Sequence, residues 1–285
     1  MRDEADPRRT KQKLAMFSRA RAERNRPAAV AGRFYPSDPE ELRGLLGQLL
    51  SAVPARAGAA PKALIAPHAG YVYSGPVAAS AFAQWLPARD IIKRVVLLGP
   101  SHFVSVEGLA ASSAEKFATP LGEVPLDAAA LRQLSSLPQV RTLDPAHARE
   151  HSLEVELPFL QVVLGNFTLV PLAVGAAGAD EIAQVLELLW DGPETGFVIS
   201  SDLSHYHDYE TARRLDRRTA DAIEALKPED VGEEGACGRI PIRGLLRSAA
   251  RHGLRGCTLD LRNSGDTAGP RDQVVGYGAF VFEER

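Results

Sequence analysis

Lys62-Ala63-Leu64-Ile65-Ala66-Pro67-His68-Ala69-Gly70-Tyr71 is an apolar run of strand length that stops at a proline and passes at once to a histidine and a glycine. The run is too short for a helix and apolar at successive positions, so it reads as a strand buried on both faces. The same arrangement recurs twice. The run over 94–98 is followed by Gly99-Pro100-Ser101-His102, and the run over 196–200 by Ser201-Asp202-Leu203-Ser204-His205. Working outward, Asp38-Pro39-Glu40-Glu41 supplies a helix cap and an acidic first turn to Leu42, Leu45, Leu46, Leu49 and Leu50. Further helices are expected over 76–86, 127–134, 150–164, 179–190, 210–226 and 240–252, and further strands over 167–174, 256–262 and 273–282. Alternation of this kind predicts an α/β protein with a central mixed, largely parallel sheet flanked by helices.

The composition agrees. Of 285 residues 45% are hydrophobic and 24% charged, a globular balance rather than a disordered or membrane-embedded one. With 33 Lys+Arg against 36 Asp+Glu the net charge is −3, which removes bulk positive charge as a route to nucleic acid. No apolar run approaches the roughly 18 residues of a membrane span. The segment 1–26 offers only Leu14-Ala15-Met16-Phe17 as apolar material, so no signal-peptide core is read there. It is expected to be a charged, mobile extension, followed over 27–285 by one domain with a small-residue linker around Ala55 to Ala60 but no second linker or repeat. Cys237 and Cys257 are too few for a disulfide framework and are expected reduced. The expectation is a cytoplasmic protein with no membrane or nucleic-acid partner.

Ligands of open α/β sheets bind beyond the carboxyl ends of the strands, where His68, His102 and His205 occupy matching places. One loop histidine means little, but three at matching strand ends point to a metal, because imidazole is the commonest ligand of zinc, iron and copper. Asp202, three residues before His205, suits an acid or base pair with it. Cys237 lies in Gly235-Ala236-Cys237-Gly238-Arg239, before an expected helix whose dipole would lower a thiol pKa. A small buried apolar role is the equal alternative for Cys237 and the preferred one for Cys257. His151, in Glu150-His151-Ser152-Leu153-Glu154, either lines the pocket or supports a helical turn. Arg239 is placed to hold a substrate carboxylate or phosphate, or to make an ordinary salt bridge. His147 and His252 are expected in solvent and His207 at the surface. Dinucleotide-binding glycines, a phosphate-binding loop, a nucleophile elbow, Cys-x-x-Cys and His-Glu-x-x-His are all absent from the sequence.

Six ordered motifs add a resemblance: Arg26-Pro27-Ala28-Ala29-Val30-Ala31-Gly32-Arg33-Phe34-Tyr35-Pro36, Ala66-Pro67-His68-Ala69-Gly70-Tyr71, Gly99-Pro100-Ser101-His102, Glu150-His151-Ser152-Leu153-Glu154, Ser200-Ser201-Asp202-Leu203-Ser204-His205 and Cys237-Gly238-Arg239-Ile240-Pro241-Ile242. From Arg26 onward the chain closely resembles the Memo family, whose bacterial and archaeal members are called AmmeMemoRadiSam system protein B. The resemblance implies a fold shared with class III, LigB-type extradiol dioxygenases, which are non-haem ferrous enzymes. It implies one transition-metal ion, iron(II) or copper ahead of zinc, on His68, His102 and Cys237. Asp202 and His205 take the remaining pocket positions as proton-handling groups, with Tyr71, His151 and Arg239 toward a small-molecule or peptide substrate. The dioxygenases complete their site with a carboxylate where this chain has a thiol, a softer ligand that favours copper(I) or zinc. A redox protein is the first functional expectation. Zinc-assisted hydrolysis and a non-enzymatic pocket for a peptide or phosphorylated tail are the alternatives. The system name implies a radical-SAM protein and an AMMECR-domain protein as partners.

Overall fold

Leu64 and Ala66 pack into one apolar layer and Ala63 and Ile65 into another, so the run before Pro67 is a strand buried on both faces. Val95 and Leu97 against Val96 and Leu98 repeat the arrangement. The structure, a computed structural model, describes residues 25–56 and 58–284. The expected extension lies outside them over 1–24. Its last two residues, Asn25–Arg26, form a strand.

In chain order the elements are β1 (Asn25–Arg26), α1 (Pro39–Ser51), β2 (Ala63–Ala66), α2 (Tyr71–Phe82), β3 (Arg94–Pro100), β4 (Leu109–Ala111), β5 (Lys116–Thr119) and β6 (Gly122–Pro125). They continue with α3 (Ala128–Leu134), β7 (Val140–Thr142), α4 (Pro145–Ala148), α5 (Leu157–Val163), β8 (Thr168–Val174) and α6 (Ala179–Leu188). The last are β9 (Thr195–Ser200), β10 (His205–His207), α7 (Tyr209–Glu224), α8 (Arg239–Arg251), β11 (Arg255–Asn263) and β12 (Val274–Glu283). Among the described residues one mixed sheet runs β10-β12-β2-β9-β3-β8-β4-β7, with β11 also paired to β12. Its centre, β2-β9-β3-β8, is parallel. β12 joins β2 antiparallel, and β4 joins β8 antiparallel. A smaller sheet, β1-β5-β6, stands apart. α1, α2 and α5 cover one face of the large sheet, and α6, α7 and α8 cover the other. The α/β architecture is the expected one.

Two helices differ from the sequence reading. α2 starts at Tyr71, five residues before Pro76, which sits inside the helix rather than at its first turn. The helix expected over 150–164 forms only from Leu157. Before it, the Glu150 carboxylate accepts the backbone N–H groups of His151 and Ser152, a local bond that competes with helix formation.

Glu154 ties the small sheet to the body. Its fully buried carboxylate accepts the Arg26 guanidinium, the N–H groups of Ala29 and Val30, and the Tyr35 hydroxyl. Removing one member of such a pair leaves the other charge buried and unpaired. Glu154→Gln is therefore expected to lower stability by about 3–5 kcal/mol. Glu210→Gln, in the exposed pair with Arg213, should stay within about 0.5 kcal/mol of the parent. Denaturant midpoints of the two variants check this.

Candidate metal centre

Because β9 lies between β2 and β3, the segments leaving these three strands meet at one edge of the sheet. They bring His68, His102 and the 201–205 loop together. His68, His102 and His151 each present a ring nitrogen, and the three lie within 4.8 Å of one another. Their ring centroids are 5.3 Å (His68–His102), 5.4 Å (His68–His151) and 4.6 Å (His102–His151) apart.

Each ring is held by a different device. His102 donates its backbone N–H to Glu150 Oε2 at 2.6 Å, and its Nδ1 lies 2.9 Å from Oε1. A carboxylate accepts, so Nδ1 carries the proton and Nε2 keeps its lone pair. Burial works against the Glu150 charge, but the His102 ring and the N–H groups of Ser152 and His102 outweigh it and hold the carboxyl at about 2. His151 stacks on His102, with Nδ1 3.3 Å from Glu150 Oε1. Burial, then the neighbouring His102, lowers its pKa. His68 is 2% exposed; its N–H donates to Asp202 Oδ1 at 2.8 Å, and its Nδ1 lies 2.7 Å from Ser200 Oγ. Burial, reinforced by His102 and His151, pushes His68 well below the usual histidine range and keeps it neutral.

Cys237 Sγ lies 3.5 Å from His68 Nε2, so the thiol joins the site from α8's side of the sheet edge. Gly238 allows this approach, because a Cβ there would meet Ser201 Cβ at 2.6 Å. The expected lowering of the thiol pKa is overturned. Burial, with the Asp202 charge adding to it, pushes the Cys237 thiol up to about 12. Asp202 is buried, and burial raises its carboxyl, opposed by His205 and by the His68 N–H. His205 donates Nδ1–H to the Leu203 carbonyl at 2.8 Å, leaving Nε2 without a hydrogen bond among the described residues.

Other expected residues are placed differently. Tyr71 is buried with its hydroxyl donating to the Val155 carbonyl at 2.7 Å, so that group is spent on the scaffold rather than on a substrate. Arg239 is half-buried at the first position of α8 and has no ion pair among the described residues. His147, expected in solvent, is buried with Nε2 3.0 Å from the Ala110 carbonyl oxygen. His252 is exposed as expected, its ring stacked on Trp190 and its Nε2 2.8 Å from Glu187 Oε2. Glu150, Glu156 and Ser200, which hold or border the site histidines, were not read as site residues. The clue was a run of acids at 150, 154 and 156 among apolar neighbours, a pattern that no solvated helix face explains.

Comparison with known proteins bears on the whole chain. A family model described as Memo-like protein matches residues 26–281. A MEMO1 family protein of Aquifex aeolicus is 35% identical and covers 91% of this chain and 99% of its own. One from Aeropyrum pernix is 38% identical, covering 89% and 98%. The crystal structure of the uncharacterized protein JW3007 from Escherichia coli K12 is similar with a TM-score of 0.51 at 12% identity, over 77% of this chain and 98% of that one. At that identity the likeness concerns the fold.

The loop carrying Asp202 and His205 is tied down by Asp216 of α7, whose carboxyl accepts the Ser204 N–H at 3.0 Å. Burial raises Asp216 from 3.8 to about 6, against the lowering effect of the Ser204 bond and His207. An acid whose folded pKa is raised contributes stability that is full below its unfolded pKa and is lost as pH rises through the folded one. The loss should fall between about pH 4 and 6 and reach at most about 3 kcal/mol. Asp216→Asn, which keeps a Ser204 acceptor, should therefore gain on the parent as pH rises from 4 to 7. Urea unfolding at both pH values checks this.

Proposed function

The chain belongs to the Memo family, and on that premise we propose that it binds one transition-metal ion, iron or copper, through His68, His102 and Cys237 as a redox protein. The supporting observation is the convergence of three imidazoles, with a thiol 3.5 Å from one of them. The donor set suits such an ion. His68 and His102 turn Nε2 toward the pocket, and nitrogen with sulfur fits copper and iron better than magnesium or calcium. A bound ion supplies open coordination positions and electron-transfer capacity. The protein's own groups do the rest. His205 is near enough for its charge to act on His68 and Asp202, and its Nε2 is the atom that takes or gives a proton. Half-exposed Phe103, its ring 6.0 Å from His151, offers an apolar wall to a small-molecule or peptide substrate. The relation to LigB-type dioxygenases, a cytoplasmic setting, and radical-SAM and AMMECR-domain partners belong to the same proposal.

Metal analysis and calorimetric titration of anaerobically purified, tag-free protein with iron(II), copper(I) and zinc test it. One ion per chain is expected, with affinity falling as pH falls because Cys237 must lose its proton on ligation. Cys237→Ser should weaken binding beyond the roughly 10–100-fold that disturbing a ligand's hydrogen-bond partner costs. It should also remove one proton from the pH dependence, while Cys257→Ser changes neither. A Cys237→Ser variant with the parent's affinity and pH slope would make His151 the third ligand. Retention of zinc alone would favour metal-assisted hydrolysis, and an ion-free pocket that captures peptide would favour the adaptor.

A further inference from the structure

Ser200 Oγ, buried at the end of β9, has three polar neighbours: His68 Nδ1 at 2.7 Å, Glu156 Oε1 at 2.7 Å and the Ser152 carbonyl oxygen at 2.6 Å. A hydroxyl has one proton and two lone pairs. The carbonyl can only accept, so the Ser200 proton goes to it. The other two neighbours face lone pairs, and each must donate, or two acceptors meet inside the protein with no proton between them. For a neutral imidazole this means Nδ1–H. For Glu156 it means a protonated carboxyl.

The surroundings of Glu156 agree. Its side chain is fully buried, and Oε2 has no hydrogen-bond partner among the described residues. No cation pairs with it among the described residues, unlike Glu154 with Arg26. Burial raises its pKa well above the ordinary carboxyl value against the lowering effect of Ser200, and the Asp202 charge adds to the rise. An ionised Glu156 would instead leave one oxygen of a buried charge unpaired and turn the Ser200 proton away from Ser152, a doubly costly arrangement.

We infer that Glu156 is a neutral carboxylic acid whose O–H donates to Ser200 and, through that hydroxyl, holds His68 as its Nδ1–H tautomer with the Nε2 lone pair facing Cys237. Glu156 is a positioning residue, reaching His68 only through Ser200. The geometry beyond His68 is compatible: the Cys237 thiol has two acceptors at 3.5 Å, the His68 Nε2 lone pair and the Asp202 carbonyl oxygen. An arriving ion meets a nitrogen whose lone pair is already presented, with no tautomer exchange required.

The consequence for metal binding rests on the function proposed above, but the hydrogen-bond directions are measurable in the metal-free full chain. Infrared spectroscopy should show a protonated-carboxyl stretch in the parent that is lost in Glu156→Gln. Nitrogen-15 NMR should find His68 as Nδ1–H in the parent and in Glu156→Gln, because the glutamine amide donates to Ser200 as the acid does. Metal affinity of Glu156→Gln should stay within the parent's order of magnitude. Ser200→Ala should bind roughly 10–100-fold more weakly with a mixed His68 tautomer, and Ser200→Thr should restore both. The inference is overturned by a parent lacking the protonated-carboxyl stretch, by His68 as Nε2–H, or by a Glu156→Gln variant as impaired as Ser200→Ala. A parent that binds no metal sinks the proposed function alone, and the infrared and NMR results still decide the state of Glu156.

Discussion

Three carboxyl groups within seven residues, Glu150, Glu154 and Glu156, are all buried, and satisfying them organises the molecule around the site. A buried carboxylate without partners is far too costly to persist, so Glu150 and Glu154 draw in donors from different parts of the chain, while Glu156, as a neutral acid, is seated against the Ser200 hydroxyl. Glu150 takes the N–H and ring of His102 after β3, with two N–H groups of its own segment. Glu154 takes Arg26, two N–H groups and Tyr35 from the N-terminal region. Glu156 reaches Ser200 at the end of β9. One short segment thereby fixes the ends of two sheet strands and the segment around β1 and Tyr35. The same demands keep 151–156 from closing as a helix.

Within that frame burial, and after it the neighbouring imidazoles, favours the uncharged forms of His68 and His151. His68 and His151 each feel neighbouring imidazoles, and the low-dielectric surroundings penalise the protonated form. Cys237 shows which effect wins when two compete. A helix N-terminus contributes about 0.3–1 kcal/mol toward a thiolate, less than one pKa unit. Burial moves the thiol from 9.0 to about 12, worth roughly 4 kcal/mol in the opposite direction. The dipole loses by its size, and the site rests as neutral donors that become strong ligands only when a cation displaces the thiol proton.

The parallel strands and the residues that follow them were legible because burial on both faces writes a continuous apolar run, and a run needs no long-range information to be seen. His68, His102, Asp202 and Cys237 were legible for a related reason, standing at strand and helix ends that the pattern already located. Short strands such as β4 and β7 have only three residues each and leave no periodic signal. The 150–156 segment misled because Leu153 and Leu157 suit a helix locally, whereas the partners of its acids lie 48 residues away at His102, 128 at Arg26 and 44 at Ser200. His147 misled in the same way, since a polar type in a turn-like stretch says nothing of the Ala110 carbonyl that receives it. Tyr71 was expected toward a substrate, and which way its ring turns is set by the packing of α2 on Tyr35 and Phe159, which no local pattern shows.

The loop after β9 carries the remaining constraint. Tyr206 has φ of 60° and is 72% exposed, an unusual state for a bulky side chain. Left-handed backbone at such a residue costs about 1–2 kcal/mol. The register explains how the cost is carried: His205 pairs with Val275 and His207 with Val274, so Tyr206 is the extra residue of a bulge on β10. A bulge bends the strand and re-aims the neighbouring side chain. Here that neighbour is His205, which the Leu203 carbonyl fixes at Nδ1 while the tyrosine ring turns outward. The strain thus sits one residue from the imidazole it orients, and the bonds of Ser204 to Asp216 and Gly276 to Ser204 brace the loop from behind.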